Sequence, residues 1–103
     1  MDFEWDEYNR EANFIKHGID FEDAIYIFEG FVQEKDDPRD HNGEARIIAY
    51  GEVDGRLLVV VYTWRDGARR IISARKANGR EQRAYHATLS GVAPQPDGCL
   101  VAG

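Results

Sequence analysis

The stretch that decides the fold is "RIIAYGEVDGRLLVVVYTWRDGARRIISARKA", residues 46–77. It holds three runs rich in β-branched, aliphatic and aromatic residues, separated by Asp54-Gly55 and Asp66-Gly67. Aspartate-glycine between two such runs signals a hairpin, because both turn residues must take positive φ. The runs therefore predict an antiparallel meander. With two-residue turns, Val53 lies opposite Arg56 and Arg65 opposite Ala68, and every other pair follows by counting. One face then carries Glu44, Arg46, Ile48 and Tyr50, opposite Arg65, Thr63, Val61 and Val59, with Ala68, Arg70, Ile72 and Ala74 on the third strand. The other carries Ala45, Ile47, Ala49 and Gly51, then Trp64, Tyr62, Val60 and Leu58, then Arg69, Ile71, Ser73 and Arg75. Both faces have an apolar middle, and the arginines gather toward the strand ends.

Outward from the meander, the pattern turns helical. Asp6 reads as an N-cap before "EYNREANFIKH", in which Tyr8, Ala12 and Ile15 recur at helical spacing. Gly18 supplies a left-handed stop, and Lys16 and His17 place positive charge in the last turn. Asp20 caps a second helix whose Phe21, Ala24, Ile25 and Phe28 form one apolar face, ending at Gly30. "MDFEW" and "FVQEK" read as short strands, and "DDPRDHNGEA" as a polar loop. Asn78 and Glu81 open a third helix with a capping-box spacing. The expected fold is α+β: a small antiparallel meander with two N-terminal helices and one C-terminal helix. Residues 1–89 form one domain, and residues 90–103 a flexible tail.

The chain has 103 residues, enough for one small domain, and 43% of them are hydrophobic. No apolar run approaches the ~20 residues of a membrane helix. The N-terminus lacks the layout of a secretory signal, so the cytoplasm is the expected location and no membrane is expected as a partner. A single cysteine, Cys99, excludes an internal disulfide and a cysteine-based zinc site. The net charge of −6 hides an asymmetry. Residues 1–54 hold sixteen acids against five Lys/Arg, and residues 55–103 three against eight. Either one surface meets an anion, or the two halves interleave and the charges mix.

Several blocks together resemble the BrnT family of bacterial type II toxins. They are "FEWDE" at 3–7, "AN" at 12–13, "KHGIDFEDA" at 16–24, "GEAR" at 43–46, "LLVVVYT" at 57–63 and "RIISARKA" at 70–77, completed by Glu81 and Tyr85. The resemblance covers residues 2 to about 86. It implies a small α+β fold like that of RelE ribonucleases, and cleavage of RNA that inhibits translation when unopposed. It also implies a cognate, DNA-binding, BrnA-like antitoxin that binds the toxin and, with it, operator DNA.

The residues offer the chemistry that such cleavage needs. Attack by the substrate's own 2′-hydroxyl requires a base, an acid and positive charge around the phosphorane. Arginine is a poor proton carrier but a good bidentate clamp for phosphate. Arg46, Arg65, Arg70 and Arg75 are thus expected to bind and stabilise charge. His17 and His41 are the obvious proton carriers, Lys16 becomes one if its pKa is depressed, and Glu44 is a possible base beside Arg65. The candidate catalytic set is His17, Lys16, Glu44, Arg65 and Arg70, and the candidate RNA-binding set Arg46, Arg75, Lys76 and Tyr50. His17 has a competing explanation as a charge closing a helix C-terminus. Arg75 sits on the opposite face in the counted register. Either it serves a structural pair there, or a bulge brings it round. "DDPRDH" matches no metal-loop spacing, and phosphate-loop and dinucleotide motifs are absent, so neither metal nor cofactor is expected. Two rival readings are a non-catalytic module that docks an antitoxin or nucleic acid, and arginines that merely neutralise acidic helices.

Overall fold

The computed structural model describes residues 2–39 and 42–89. The expectations for His41, Cys99 and the 90–103 tail lie outside them. The described chain runs β1 (Phe3–Glu4), α1 (Glu7–His17), α2 (Phe21–Ala24), a 3-10 turn (Ile25–Glu29), β2 (Gln33–Asp36), β3 (Ile47–Val53), β4 (Arg56–Arg65), β5 (Ala68–Lys76) and α3 (Gly79–Leu89). The five strands form one sheet in the order β1-β5-β4-β3-β2.

Both Asp-Gly turns behave as their chemistry demands. Asp54 and Gly55 have φ of 52° and 79°, and Asp66 and Gly67 have 51° and 82°. β3 pairs with β4 from Val53↔Arg56 to Ile47↔Tyr62 without a slip. The β4–β5 ladder starts as counted, with Arg65↔Ala68 and Thr63↔Arg70, but shifts after Tyr62↔Ile71, so that Val61 faces Ser73. Ile72 is the extra residue of a β-bulge, which exchanges the faces of everything beyond it. Ala74, counted onto the Arg70 face, instead enters the core against Val60. Ser73 and Arg75 cross to the face of Arg70 and Tyr50.

The sheet is mixed, not the expected pure antiparallel meander. β1 runs parallel to β5, with Phe3↔Arg69 and Glu4↔Arg70. β5 would otherwise expose its outer edge, and β1 pairs only its first part. Farther along, α1 takes over. Asn13 Nδ2 donates to the carbonyls of Ala74 and Ile19 at 2.9 and 3.0 Å, and its Oδ1 accepts from Ala74 N–H at 3.1 Å. A side-chain amide here does the work of a neighbouring strand.

This explains why α1 is turned opposite to its apolar spacing. Arg10, Asn13 and His17, at i, i+3 and i+7, face the protein, whereas Tyr8 and Ile15 are 77% and 85% exposed and Ala12 is exposed. Arg10 bonds Asp20 at 2.8 Å and Glu7 at 3.0 Å, fastening α1 to the capping residue of α2. The caps at Asp6, Asp20 and Gly18 are as expected. The second helix is regular only through Ala24 and then tightens into the 3-10 turn, which rotates Ile27 into the core between Ile25 and Phe28.

The main core lies on one face of the sheet. Ile19, Phe21, Ala24 and Ile27 pack there against Ala49, Leu58, Val60, Tyr62, Ile71 and Ala74. α3 covers only part of the other face, placing Tyr85 against Leu57, Val59 and Ala77 near the 54–55 hairpin. Gly51 marks the closest approach on the core side: a Cβ there would lie 2.7 Å from Ile27 Cβ. We expect Gly51→Ala to destabilise the fold by about 1–3 kcal/mol, the usual cost of overpacking, as urea unfolding will measure.

Candidate nucleic-acid interface

α3 packs over one end of its face, with Tyr85 on Leu57, Val59 and Ala77. The other end, beside the 66–67 hairpin, borders an open groove lined in part by Thr63 and Arg65. Arg46, Thr63, Arg65 and Arg70 gather at this open end. Thr63 pairs with Arg70 in the ladder and is buried, its hydroxyl donating to the Ala45 carbonyl at 2.7 Å. That bond holds residue 45 against β4 just before β3 begins.

The arginines differ in what neutralises them. Arg46 bonds Glu44 at 2.8 Å and Arg70 bonds Glu4 at 3.0 Å. Arg65 is exposed and, among the described residues, has no carboxylate within 4 Å. The counted register had set Glu44 beside Arg65 as its partner. Instead Glu44 precedes β3 and turns back to Arg46. A two-residue spacing along the peeling chain lets it reach its own neighbour more easily than across the ladder.

Arg75 forms a second centre. The bulge brings it opposite Val59 on the face that carries Tyr50. Its guanidinium makes a fork with Glu81, at 2.9 and 2.8 Å. Glu81 also accepts from Asn78 N–H at 2.9 Å, while its own N–H donates to Asn78 Oδ1 at 2.8 Å. The capping box of α3 is therefore also the seat of Arg75. The fork holds the Glu81 carboxyl below its ordinary range, against the opposing pull of burial. Lys35 lies 5.7 Å over the Tyr50 ring, and Lys76 is exposed beyond Arg75.

His17 belongs to this second centre. It is half-buried at the end of α1, and Lys16 beside it is exposed. Burial first, then the charges of Lys16 and Arg75, push the His17 imidazole below 6.5. The sign for stability follows. The unfolded chain binds the proton more readily, so the stabilisation is complete above about 6.5 and is lost as pH falls through the folded value. We expect an NMR titration of His17 with a midpoint below 6.5, moving up when Arg75→Ala removes one of the two charges.

The candidate residues thus separate into two groups: Glu44, Arg46, Arg65 and Arg70 at the open end, and Lys16, His17, Tyr50 and Arg75 toward α3. Lys76, expected among the RNA-binding residues, pairs with Leu58 and so starts from the opposite, core face of the sheet. Arg70 and Arg75 are five positions apart on β5, roughly 13–16 Å at strand spacing. The acidic and basic halves of the sequence do interleave, since Glu4 of β1 reaches Arg70 of β5. Among the described residues, no three His, Cys, Asp or Glu side chains come together to hold a metal ion. In the polar loop, Asp37 is buried and accepts from Arg39 at 2.7 Å, organising its own turn.

Sequence reasoning left out two residues that shape this region. Arg69 packs its guanidinium over Phe28, Trp64 and Tyr62, at 4.5, 4.6 and 5.2 Å. The Tyr62 hydroxyl donates to Glu34 at 2.6 Å, and burial first, then that bond, raises its pKa. The counted register already set Tyr62, Trp64 and Arg69 on one face. Phe28 comes from the 3-10 turn, 34 positions before Tyr62, which counting along the meander does not reach. Asn13 is the other. Its polarity at a helical position facing inward was the available sign.

A small mixed sheet with helices on both faces defines a class: a small α+β domain, here with several arginines at one end of the sheet. The particular family follows from comparison. A sequence model of the ribonuclease toxin BrnT, of type II toxin–antitoxin systems, matches residues 5–81, and the chain belongs to that family. The match spans every described strand except β1, both N-terminal helices and the seat of Arg75. Membership carries ribonuclease toxin activity and a cognate antitoxin as partner. A search of curated proteins found no match. No helix among the described residues is long and apolar enough to cross a membrane.

Proposed function

We propose that this protein is a RelE-like endoribonuclease that cuts RNA without a metal ion and thereby blocks translation in the cytoplasm. A DNA-binding, BrnA-like antitoxin neutralises it, and the pair binds operator DNA. The observation that carries the RNA contact is the open end of the sheet. There Arg65 stands without a carboxylate, while Arg46 and Arg70, their side chains 27% exposed, bond Glu44 and Glu4. Surface ion pairs contribute only ~0–1 kcal/mol, and a pair still in contact with water can exchange its carboxylate for a phosphate. Arginine then binds phosphate through two parallel N–H groups.

For proton transfer the arrangement favours His17. A depressed pKa leaves it neutral at pH 7, ready to accept the 2′-hydroxyl proton. Arg75 beside it supplies charge near the phosphorane, and Glu81 holds Arg75 in place. A strand lying along β5 from Arg70 to Arg75 spans more than one nucleotide, with Tyr50 along its path. Lys16 and Glu44 remain secondary candidates for proton transfer.

The carboxylate partners of Arg46, Arg70 and Arg75 favour the reading in which the arginines merely neutralise acids, and Arg65 without one speaks against it. The other rival is a non-catalytic module that only docks its antitoxin or nucleic acid. Purified protein incubated with RNA in EDTA, with and without ribosomes, separates the two. Cleavage that persists in EDTA and leaves 2′,3′-cyclic phosphate ends supports the enzyme, whereas intact RNA in both arms together with unimpaired translation on expression sinks it. Arg65→Ala with Arg70→Ala should abolish growth arrest while leaving antitoxin binding and fold intact. Loss of binding alone favours the module.

A further inference from the structure

At the end of β4, an open groove that includes the candidates Glu44 and Arg65 is lined by Glu44, Ala45, Ile47, Thr63, Trp64 and Arg65. Two features of its lining are unusual together. Trp64 is 52% exposed, although tryptophan is highly buried on average. Its neighbour Arg65 has no carboxylate within 4 Å among the described residues.

The indole is nevertheless held firmly. Arg69 lies against the ring system at 4.6 Å, and Tyr62 meets it edge-on with centroids 5.7 Å apart. Arg69 is itself fixed by Phe28, and its Nε is buried without a hydrogen-bond partner. Its place is set by the rings and not by an acid. The ring is thus immobilised from the protein side while half of its surface stays in water. Rigid aromatic surface beside an uncompensated arginine suits a flat, π-faced ligand carrying a phosphate. Bases of single strands stack on such platforms, and each base has a π-face.

We propose that Trp64 is a nucleobase platform: a base of single-stranded RNA stacks on its exposed face while the adjoining phosphate is held by Arg65. The ligand class is taken from the ribonuclease reading, but the subsite does not depend on cleavage. It lies on the rim between the two sheet faces, so it contacts a nucleotide flanking the scissile one. Its contribution falls on KM more than on kcat, because stacking at a flanking base is the same in the ground and transition states. Arg69 is a positioning residue that fixes the platform from behind.

The test uses the intact chain and a short 2′-O-methyl oligoribonucleotide, which binds but cannot supply the attacking hydroxyl. Binding is read by fluorescence anisotropy, alongside an oligonucleotide of equal charge whose sugars carry no bases. Trp64→Ala is expected to weaken binding of the base-bearing strand by roughly 5- to 150-fold, the range seen for single stacked bases. The abasic strand should be almost unaffected. Trp64→Phe keeps a ring and should restore affinity to within a few-fold, which guards against a variant that merely unfolds. Equal affinity of Trp64→Ala for both strands overturns the proposal, as does failure of the wild-type protein to prefer the base-bearing strand. So does loss of antitoxin binding by Trp64→Ala with RNA affinity intact, which would make the groove a protein-docking site. Binding without any cleavage of ordinary RNA sinks the ribonuclease reading and leaves the platform standing.

Discussion

Asn13→Ala is expected to cost roughly 3 kcal/mol or more of stability, the largest loss we anticipate from a single polar side chain here. One amide satisfies three buried backbone groups: the Ile19 carbonyl, the Ala74 carbonyl and the Ala74 N–H. Leaving a buried polar group without a partner costs about 1–3 kcal/mol. For a domain of this size each kcal/mol shifts Tm by about 4–8 °C, so the midpoint should fall by more than 10 °C. Asn13→Asp should be at least as harmful, because it keeps the acceptor for Ala74 N–H but loses both donated bonds and buries a charge. Hydrogen exchange gives a local readout: the Ala74 amide should lose its protection in Asn13→Ala. A cost below about 1 kcal/mol, with that amide still protected, would show that water replaces the side chain at the edge of β5.

His17→Gln is expected to lower the cleavage rate by about 10²–10⁴-fold, the usual contribution of a positioned acid–base group. Glutamine retains much of the size and hydrogen-bonding capacity, and His17 is only half-buried, so the fold should stand. The pH profile carries a second prediction. The acid limb of kcat/KM should fall below 6.5, since burial, Lys16 and Arg75 all favour the neutral imidazole. Substituting Arg75 should move that limb upward while also weakening RNA binding. Full activity in His17→Gln would return this residue to the simpler role of closing the C-terminal end of α1, and turn attention to Glu44 and Lys16.

Much of the fold was legible because it rests on short-range chemistry. The Asp-Gly pairs specify their turns through φ, so the meander and the β3–β4 register could be counted from residue numbers. Asp6, Asp20, Gly18 and the Asn78/Glu81 box mark helix ends through bonds that span two to four positions. The orientation of α1 was not legible. Its apolar spacing pointed Tyr8, Ala12 and Ile15 inward, yet the open edge of β5 required Asn13 there, and an amide that pairs with a strand sixty-one positions away leaves no local pattern. The parallel pairing of β1 was hidden for the same reason, since two residues cannot announce a partner near position 70.

For the site, the residue types were readable and their grouping was not. Composition and motif spacing singled out the arginines and His17, because phosphate and proton transfer call for those side chains. One bulged residue, Ile72, then decided which of them share a face. Counting alone sent Arg75 to the main-core side packed by α2; the bulge turns it to the α3 side, with Tyr50 and Glu81, where its charge reaches His17. The sequence by itself determined the elements, the turns and the chemical kinds of group available, all of which depend on neighbours in the chain. Only the tertiary structure decided which arginines meet a carboxylate, which like Arg65 do not among the described residues, and that His17 feels the charge of Arg75. Those outcomes depend on strand edges and ladder slips, where distant backbone groups must find partners or remain buried without them.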